Sequence, residues 1–268
     1  MKPLEGRIAL VTGASRGIGV GIAKCLAAEG ARVALAARGR DGLESTKSAI
    51  EKAGGSALIV PTDVSREAEV RAMVASVERA WGPVELLINN AGVHGAEDFA
   101  DHFPEETRDW DMAWRVNTLS RVWACEAALP AMKQRRFGRI VNVSSVAGLE
   151  GQPAHVAYNA TRAAEISYTQ SLAREVGAFG ITVNAILPGL VETDMVESLW
   201  KHITKRFGPA MAGPDPKTGF DQLVKTMIPL RRAQTPEDIG WLAAFLCSER
   251  GQNISGQSIN VDGGMRVH

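Results

Sequence analysis

The stretch "IALVTGASRGIG", residues 8–19, joins an apolar run to a turn rich in glycine. Its first four residues are all apolar, which is typical of a strand buried on both faces of a sheet. Gly13, Gly17 and Gly19 follow and lead into an apolar stretch with helical spacing, so the backbone can turn tightly and approach a phosphate at a helix N-terminus. A strand, a glycine turn and a helix in this order predict the first unit of an α/β fold that binds a nucleotide.

Six more short apolar runs follow this unit, and amphipathic stretches of helical length separate them. The runs lack alternation of polar and apolar residues, which predicts parallel strands with helices on both faces of the sheet. We therefore expect one α/β domain over residues 1–268, built on a doubly wound, mostly parallel sheet of seven strands. The predicted strands are 8–13, 32–37, 57–61, 84–89, 139–144, 181–187 and 257–261.

The composition narrows the class of partner. Lys plus Arg and Asp plus Glu both number 30, so the formal charge is zero and indicates neither a nucleic acid nor a membrane surface as partner. A small molecule is the expected partner. The start, "MKPLEGRIALVTG", lacks the apolar region of a signal peptide, and we expect a cytoplasmic protein. Cys25, Cys125 and Cys247 lie far apart, which indicates reduced, packed thiols and neither disulfides nor a metal site.

Ligands of doubly wound sheets bind beyond the carboxyl ends of the strands. Four predicted strands run into small, polar or turn-forming residues: "TGASRGIG" (12–19), "NNAG" (89–92), "SSVAG" (144–148) and "PG" (188–189). Because these ends meet at one edge of a parallel sheet, they predict one continuous binding site. The glycine turn is expected to hold the pyrophosphate of a dinucleotide.

The end of the second predicted strand bears on which dinucleotide binds. An NAD site would place an acidic side chain there, but this chain has Ala37 followed by Arg38. With Arg16 in the glycine turn, Arg38 favours the 2′-phosphate of NADP(H), unless both arginines are simply solvated on a surface loop. Asp63, after the third strand, either accepts a hydrogen bond from the adenine amine or caps the next helix.

Taken together, "TGASRGIG", "NNAG", "SSVAG", a tyrosine thirteen residues after Ser145, "PG" and the terminal "SGQSINVDGG" resemble the short-chain dehydrogenase/reductase family. The resemblance implies a single Rossmann domain, like that of 3-oxoacyl reductases and carbonyl reductases, and a homotetramer packed through residues 110–132 and 154–176. It places Asn117, Ser145 and Tyr158 at three of four catalytic positions. The family has lysine at the fourth, where this chain has Arg162.

The motifs and the resemblance together define the expected site, which contains no metal. The substrate pocket is expected to consist of His94, Ser145, His155, Tyr158, Met195 and Trp200. The expected cofactor contacts are Gly13, Ser15, Arg16, Gly17, Ile18, Gly19, Arg38, Asp63, Val64, Asn90, Ala91, Gly92, Tyr158, Arg162, Pro188, Gly189 and Thr193.

The chemistry of carbonyl reduction explains the pairing of Tyr158 with Arg162. Hydride addition leaves negative charge on the substrate oxygen, so Tyr158 is the expected proton donor and Ser145 the residue that holds the oxygen. Residues four apart share a helix face, so the guanidinium is placed to stabilise the tyrosinate. An arginine cannot release a proton, however, and the proton-relay role of the family lysine is lost. We expect good NADP(H) binding with slow turnover.

Of three further residue groups, the first two have more than one interpretation. His94 and His155 either line the substrate pocket or act as acids. Thr193 either bonds the nicotinamide carboxamide, as the resemblance implies, or caps a helix. Residues 192–230 contain Gly and Pro within a helical pattern and are expected to form a mobile lid. The apolar lid residues favour an apolar or cyclic substrate; they are Met195, Trp200, Phe207, Met211 and Phe220.

The sequence therefore predicts an oxidoreductase that transfers a hydride between NADP(H) and a carbonyl or secondary alcohol. The alternative is an NADP(H)-binding protein with impaired or lost catalysis: a sensor, an assembly subunit or an engineered active-site variant. Arg162 is the residue that separates these two hypotheses. A sugar epimerase or dehydratase is disfavoured, because relatives of that kind carry a larger C-terminal substrate domain.

Overall fold

The glycine turn lies at the carboxyl edge of a seven-stranded parallel sheet in the computed structural model, which describes residues 2–102, 104–151, 153, 155–208 and 212–267. The strand order is β3-β2-β1-β4-β5-β6-β7, so the order reverses between β1 and β4, where doubly wound folds bind ligands. The predicted fold class and all seven predicted strands are confirmed. The strands are β1 Ile8–Thr12, β2 Arg32–Ala37, β3 Ser56–Pro61, β4 Leu86–Asn89, β5 Gly138–Val143, β6 Ile181–Pro188 and β7 Ser258–Val261.

Helices cover both faces of this sheet. The described helices are α1 Gly17–Ala28, α2 Arg40–Lys52, α3 Glu67–Trp81, α4 Thr107–Ala113, α5 Ser120–Arg135, α6 Val156–Val176, α7 Asp194–Phe207, α8 Pro216–Met227 and α9 Pro236–Cys247. A π-helical turn, Trp114–Leu119, joins α4 to α5. Side chains of α1, α2 and α9 form one buried core, and those of α3, α5 and α6 form the other. Within the described part of the chain, no helix is both long and apolar enough to cross a bilayer.

A buried polar ladder fixes α6 against the middle of the sheet. Asn89 Nδ2 donates to Asn142 Oδ1 at 2.9 Å, and Asn142 Nδ2 donates to Thr169 Oγ1 at 2.9 Å. The Thr169 hydroxyl donates in turn to the carbonyl of Glu165 at 2.8 Å. Because buried polar groups are costly to leave unpaired, the ladder sets how far α6 slides along the strands. It thereby fixes the height of Tyr158, near the start of α6, above the strand ends.

The segment expected to form a lid folds mainly as α7 and α8. Phe220, Val224 and Ile228 are buried together in a small core of their own, packed against Leu190 and Val196. Phe207, at the end of α7, is 40% exposed. Met211, which the sequence placed among the apolar lid residues, lies outside the described residues. The lid is therefore a packed helical unit at the site edge, and its motion stays a prediction.

The close approach of α1 to the glycine turn gives a stability prediction. A Cβ at Gly19 would lie 2.1 Å from the Gly13 carbonyl oxygen and 2.7 Å from Asn90 Nδ2. We expect Gly19→Ala to lower the free energy of unfolding by about 2 kcal/mol or more, because backbone must move to admit the methyl group. Urea denaturation measures the loss. The control is Gly39→Ala, where no atom lies within 4 Å; equal stabilities of the two variants would contradict the geometry.

Candidate active site

The glycine turn and the "NNAG" turn are locked together at the ends of β1 and β4. Gly13 has a φ of +69°, and a side chain there would meet Ala91 Cα at 2.9 Å. Asn90 Nδ2 donates to the Thr12 carbonyl at 2.9 Å, and the Asn90 and Ala91 amides both donate to Thr12 Oγ1. The first turn of α1 carries no acidic side chain, which leaves its N-terminus suited to a phosphate.

The two cofactor candidates at the ends of β2 and β3 have protein partners. Arg38 is exposed, and its Nη1 lies 2.9 Å from Glu97 Oε1, so the predicted phosphate ligand forms a surface ion pair. Asp63 Oδ1 accepts hydrogen bonds from the Ser65 amide at 3.0 Å and from its hydroxyl at 2.8 Å. The N-cap of α3 is Arg66. Asp63 therefore closes the turn before α3, and the alternative that it caps this helix is wrong.

Thr193 lies at the N-cap of α7 but makes no capping hydrogen bond through its side chain. Its Cγ2 lies 3.1 Å from the position that a Cβ of Gly17 would occupy, so Thr193 contacts the glycine turn directly. A cleft lined by Gly17, Lys24, Thr193 and Glu237 opens beside this contact. Thr193 therefore occupies the N-cap position without a side-chain cap, and its bond to the nicotinamide carboxamide stays a prediction.

The four candidate catalytic residues come from α6, which carries Tyr158 and Arg162, from the end of β5 and from the π-helical turn. Tyr158 is 8% exposed, and the Arg162 Cζ atom lies 4.7 Å from the centre of its ring. Ser145 follows β5, where its Oγ accepts a hydrogen bond from the Ala147 amide at 3.1 Å. Asn117 lies in the π-helical turn, a feature common at functional sites. Its side-chain amide pairs with both backbone groups of Val93, so Asn117 holds the loop that follows "NNAG".

A buried ion network, which the sequence analysis missed, surrounds the arginine. Arg162 Nη1 donates to Glu165 Oε1 at 2.9 Å, to Glu165 Oε2 at 3.1 Å and to the Val143 carbonyl at 3.1 Å. Arg121 Nε lies 3.4 Å from the same carboxylate. All three side chains are at most 4% exposed. Helical spacing was the available signal, since Glu165 is three residues after Arg162 and seven after Tyr158.

Burial and pairing act in opposite directions on these groups. Burial alone would lower the pKa of Arg162, but Glu165 and the Tyr158 hydroxyl outweigh it and hold that pKa above its usual value. Burial lowers the pKa of Arg121 to about 10, although the charge of Glu165 opposes this shift. Burial raises the pKa of Glu165, and the two guanidinium groups oppose that rise. Arg162 is therefore a fixed cation at any working pH.

Histidines line the other side of the tyrosine ring. The His94 and His155 rings meet Tyr158 edge-on, with ring centres 4.8 Å and 5.7 Å from that of Tyr158. Burial lowers the pKa of His94 to about 3 and that of His155 to about 4. Both imidazoles are neutral near pH 7, which favours pocket lining over acid catalysis. The Phe99 ring lies between His94 and His202 of α7. It stacks on the His202 ring, with the two ring centres 4.1 Å apart.

The two remaining pocket candidates lie on α7. Met195 is half-buried. Trp200 donates its indole N–H to the Ala212 carbonyl at 2.9 Å, so the polar edge of Trp200 joins α7 to the segment before α8. The structure thus brings the rings of His94, His155 and Tyr158 together. The Trp200 hydrogen bond lies within the lid segment and links two parts of it.

Comparisons with known proteins show which family this chain is similar to. Residues 7–204 match the profile of the family described as short chain dehydrogenase. The oxidoreductase UcpA of Salmonella typhimurium is 38% identical over 98% of this chain and 96% of its own. The 3-oxoacyl-[acyl-carrier-protein] reductase FabG of Staphylococcus aureus is 37% identical over 96% and 97%. L-sorbose reductase of Gluconobacter frateurii, solved with NADPH and L-sorbose, superposes with a TM-score of 0.87 at 33% identity, covering 99% and 98%.

The buried histidines predict how stability depends on pH. Because folding lowers the pKa of His94 and His155, below about pH 6.5 the unfolded chain binds protons that the native protein does not. Native stability should therefore fall with pH from about 6.5 down towards 4. Urea midpoints between pH 7 and 5 test this in the double variant His94→Asn, His155→Asn. The free energy of unfolding of this variant should fall less steeply with decreasing pH than that of the wild type, by about 1–2 kcal/mol per pH unit. Equal slopes for the two proteins would contradict burial of neutral imidazoles.

Proposed function

The chain belongs to the short-chain dehydrogenase family, and we propose that it transfers a hydride between NADP(H) and a carbonyl or secondary alcohol. The single observation that carries this proposal is the placement of Tyr158 against the Arg162 guanidinium at the sheet edge that also holds the glycine turn. The relatives named above are oxidoreductases and reductases. They give no support to the alternative of lost catalysis.

The residues present fit a dinucleotide. Gly13 and Gly17 take the positive φ angles of a tight turn, no side chain caps the N-terminus of α1 that follows, and Thr193 lies against the same turn. When bound, the cofactor supplies or accepts the hydride. The other contacts that we propose are Ser15, Arg16, Ile18, Gly19, Arg38, Asp63, Val64, Asn90, Ala91, Gly92, Tyr158, Arg162, Pro188 and Gly189.

The proton is handled by the side chains around Tyr158. In the reductive direction Tyr158 donates its hydroxyl proton to the substrate oxygen while Ser145 donates a second hydrogen bond that holds this oxygen. The Arg162 cation stabilises the tyrosinate that remains. Asn117 acts indirectly, through the residues around Tyr158. Its side chain holds the loop at Val93 and donates a hydrogen bond to Thr161 Oγ1 at 3.0 Å. Water must return the proton to Tyr158, since Arg162 has none to give.

The proposed substrate is a small to medium-sized carbonyl compound with an apolar or cyclic body. The half-buried Met195, proposed as a pocket residue, offers apolar surface. His94 and His155 add neutral imidazoles, which can donate or accept a hydrogen bond but carry no charge for an anionic group. The relative solved with L-sorbose shows that this architecture also holds a sugar in that protein.

Assembly, location and lid motion complete the proposal. Trp110 and Trp114 are 40% and 42% exposed on one face of the α4 region, and Val156 is 51% exposed at the start of α6. Apolar surface on these helices supports a homotetramer of single-domain subunits. The cysteines are unpaired and buried, which supports a cytoplasmic location. Residues 192–230 are proposed to close over the bound substrate.

Replacement of Tyr158 tests the reaction. We expect the purified protein to oxidise NADPH in the presence of cyclic ketones or diketones, and we expect Tyr158→Phe to lower kcat/KM by about 100- to 10,000-fold, because the general acid is lost. Absorbance at 340 nm follows the reaction. Tyr168→Phe is the matched control, since Tyr168 lies on the same helix but forms its hydrogen bond with the Cys125 thiol. A Tyr158→Phe variant as active as this control would exclude the proposed acid.

Replacement of Arg38 tests the choice of cofactor. We expect Arg38→Ala to weaken NADPH binding about 10- to 100-fold and to leave NADH binding unchanged, because only NADPH carries the 2′-phosphate. Titration of intrinsic fluorescence measures both affinities. The control is Arg40→Ala, another exposed arginine in a surface ion pair. If the wild type binds NADH as tightly as NADPH, the proposed preference is wrong.

A further inference from the structure

Glu165 is a carboxylate with no exposure to solvent, and neither the family resemblance nor the proposed reaction assigns it a task. It accepts two hydrogen bonds from Arg162 Nη1 and lies 3.4 Å from Arg121 Nε. Taking three charged groups out of water costs several kcal/mol for each ion, and an apolar replacement is often at least as stable. A contribution to stability therefore does not explain why three charged side chains are buried beside the reacting residues.

The contacts of Arg162 show what Glu165 does to it. Nη1 is fully engaged with Glu165 and the Val143 carbonyl. Nη2 lies over the backbone of Gly92, where a Cβ would be only 2.1 Å away. The guanidinium plane is thus held at one end by the carboxylate and is packed between Gly92 and the Tyr158 ring. A long arginine side chain without this partner would have many other rotamers.

Arg121 makes the anchor rigid. Its Nη1 donates to the Val116 carbonyl in the π-helical turn at 3.0 Å. Its Nη2 donates to the carbonyls of Ala91 at 3.0 Å and Val143 at 3.2 Å. Glu165 therefore contacts Arg121, a side chain that is hydrogen-bonded to backbone at the ends of β4 and β5 and in the turn that carries Asn117.

We propose that Glu165 is a positioning residue: it holds the Arg162 guanidinium against Tyr158, cancels part of its charge, and thereby sets the pH range in which Tyr158 exchanges its proton. This inference rests on the proposed function. The cluster of two guanidiniums and one carboxylate carries a net charge of +1 beside the phenol. Removal of the carboxylate charge would leave +2 and would favour the tyrosinate.

The other groups that face Tyr158 do not replace this effect. His94, from the loop after β4, and His155, at the start of α6, are buried and neutral near pH 7. His202 of α7 is one ring further away, stacked on Phe99. The Glu105 carboxylate accepts a hydrogen bond from the Ala157 amide and so faces the N-terminus of α6. The Arg162 guanidinium of the network lies directly against the Tyr158 ring, with Cζ 4.7 Å from the ring centre.

A spectroscopic titration tests this role without any turnover. The chain has two tyrosines, so in a Tyr168→Phe background the absorbance change at 295 nm reports Tyr158 alone. We expect Glu165→Gln, which keeps the shape and one hydrogen-bond acceptor, to move the titration midpoint down by about one pH unit. Glu165→Asp keeps the charge and should stay within about 0.3 units of the parent. Glu175→Gln, exposed on the same helix, should leave the midpoint unchanged.

Kinetics give the second readout. For oxidation of a secondary alcohol by NADP, Glu165→Gln should shift the rising limb of the pH–rate profile to lower pH and lower kcat about 10- to 100-fold, with the substrate KM little changed. A midpoint that stays fixed or rises in Glu165→Gln would overturn the proposal, as would an equal shift in Glu175→Gln. If the wild type turns over no carbonyl compound, the proposed function fails, but the titration still decides the role of Glu165.

Discussion

The buried contact between Glu165 and the guanidiniums of Arg162 and Arg121 is the constraint on which the site depends. Breaking such a pair by removing one partner costs about 3–5 kcal/mol, because a charge is then left buried without compensation. The network also joins five elements at one point: the ends of β4 and β5, the π-helical turn, α5 and α6. The network therefore helps to fix the position of Tyr158 and sets the charge of the groups beside its phenol.

These contacts change the interpretation of Arg162 that the sequence suggested. The sequence alone suggested a partial substitute that keeps the positive charge of a lysine and loses its proton relay. The structure adds that the guanidinium has its own carboxylate and its own carbonyl partner, and that it packs over Gly92. A lysine ammonium is compact and cannot reproduce these directional bonds. The surrounding residues fit an arginine, and the pair of Tyr158 and Arg162 belongs to a larger unit.

Much of the architecture was readable from local patterns. The apolar strand runs, the glycine turn and the position of Tyr158 thirteen residues after Ser145 all fix features within short stretches of chain. Helical spacing could have indicated the pair of Arg162 and Glu165, but not the third member, because the meeting of Arg121 with Glu165 depends on how α5 and α6 pack against the sheet. Asp63 shows the same limit: the sequence left open an adenine contact or a helix cap, and in the fold the carboxylate accepts a hydrogen bond from the Ser65 amide instead of capping the helix. Local sequence predicts elements, whereas the partners of buried polar groups are set by tertiary packing.

The most direct measurement of the central claim is the single-turnover rate constant for NADPH oxidation in Arg162→Lys, together with its NADPH affinity. If the site is built around the arginine, lysine leaves Glu165 and the Val143 carbonyl without their close donor, and the rate constant should fall at least about 10-fold. The protein should remain folded, which circular dichroism checks. A large rise in the rate constant with unchanged NADPH affinity would contradict the account, since it would show that the arginine is only an imperfect replacement for lysine.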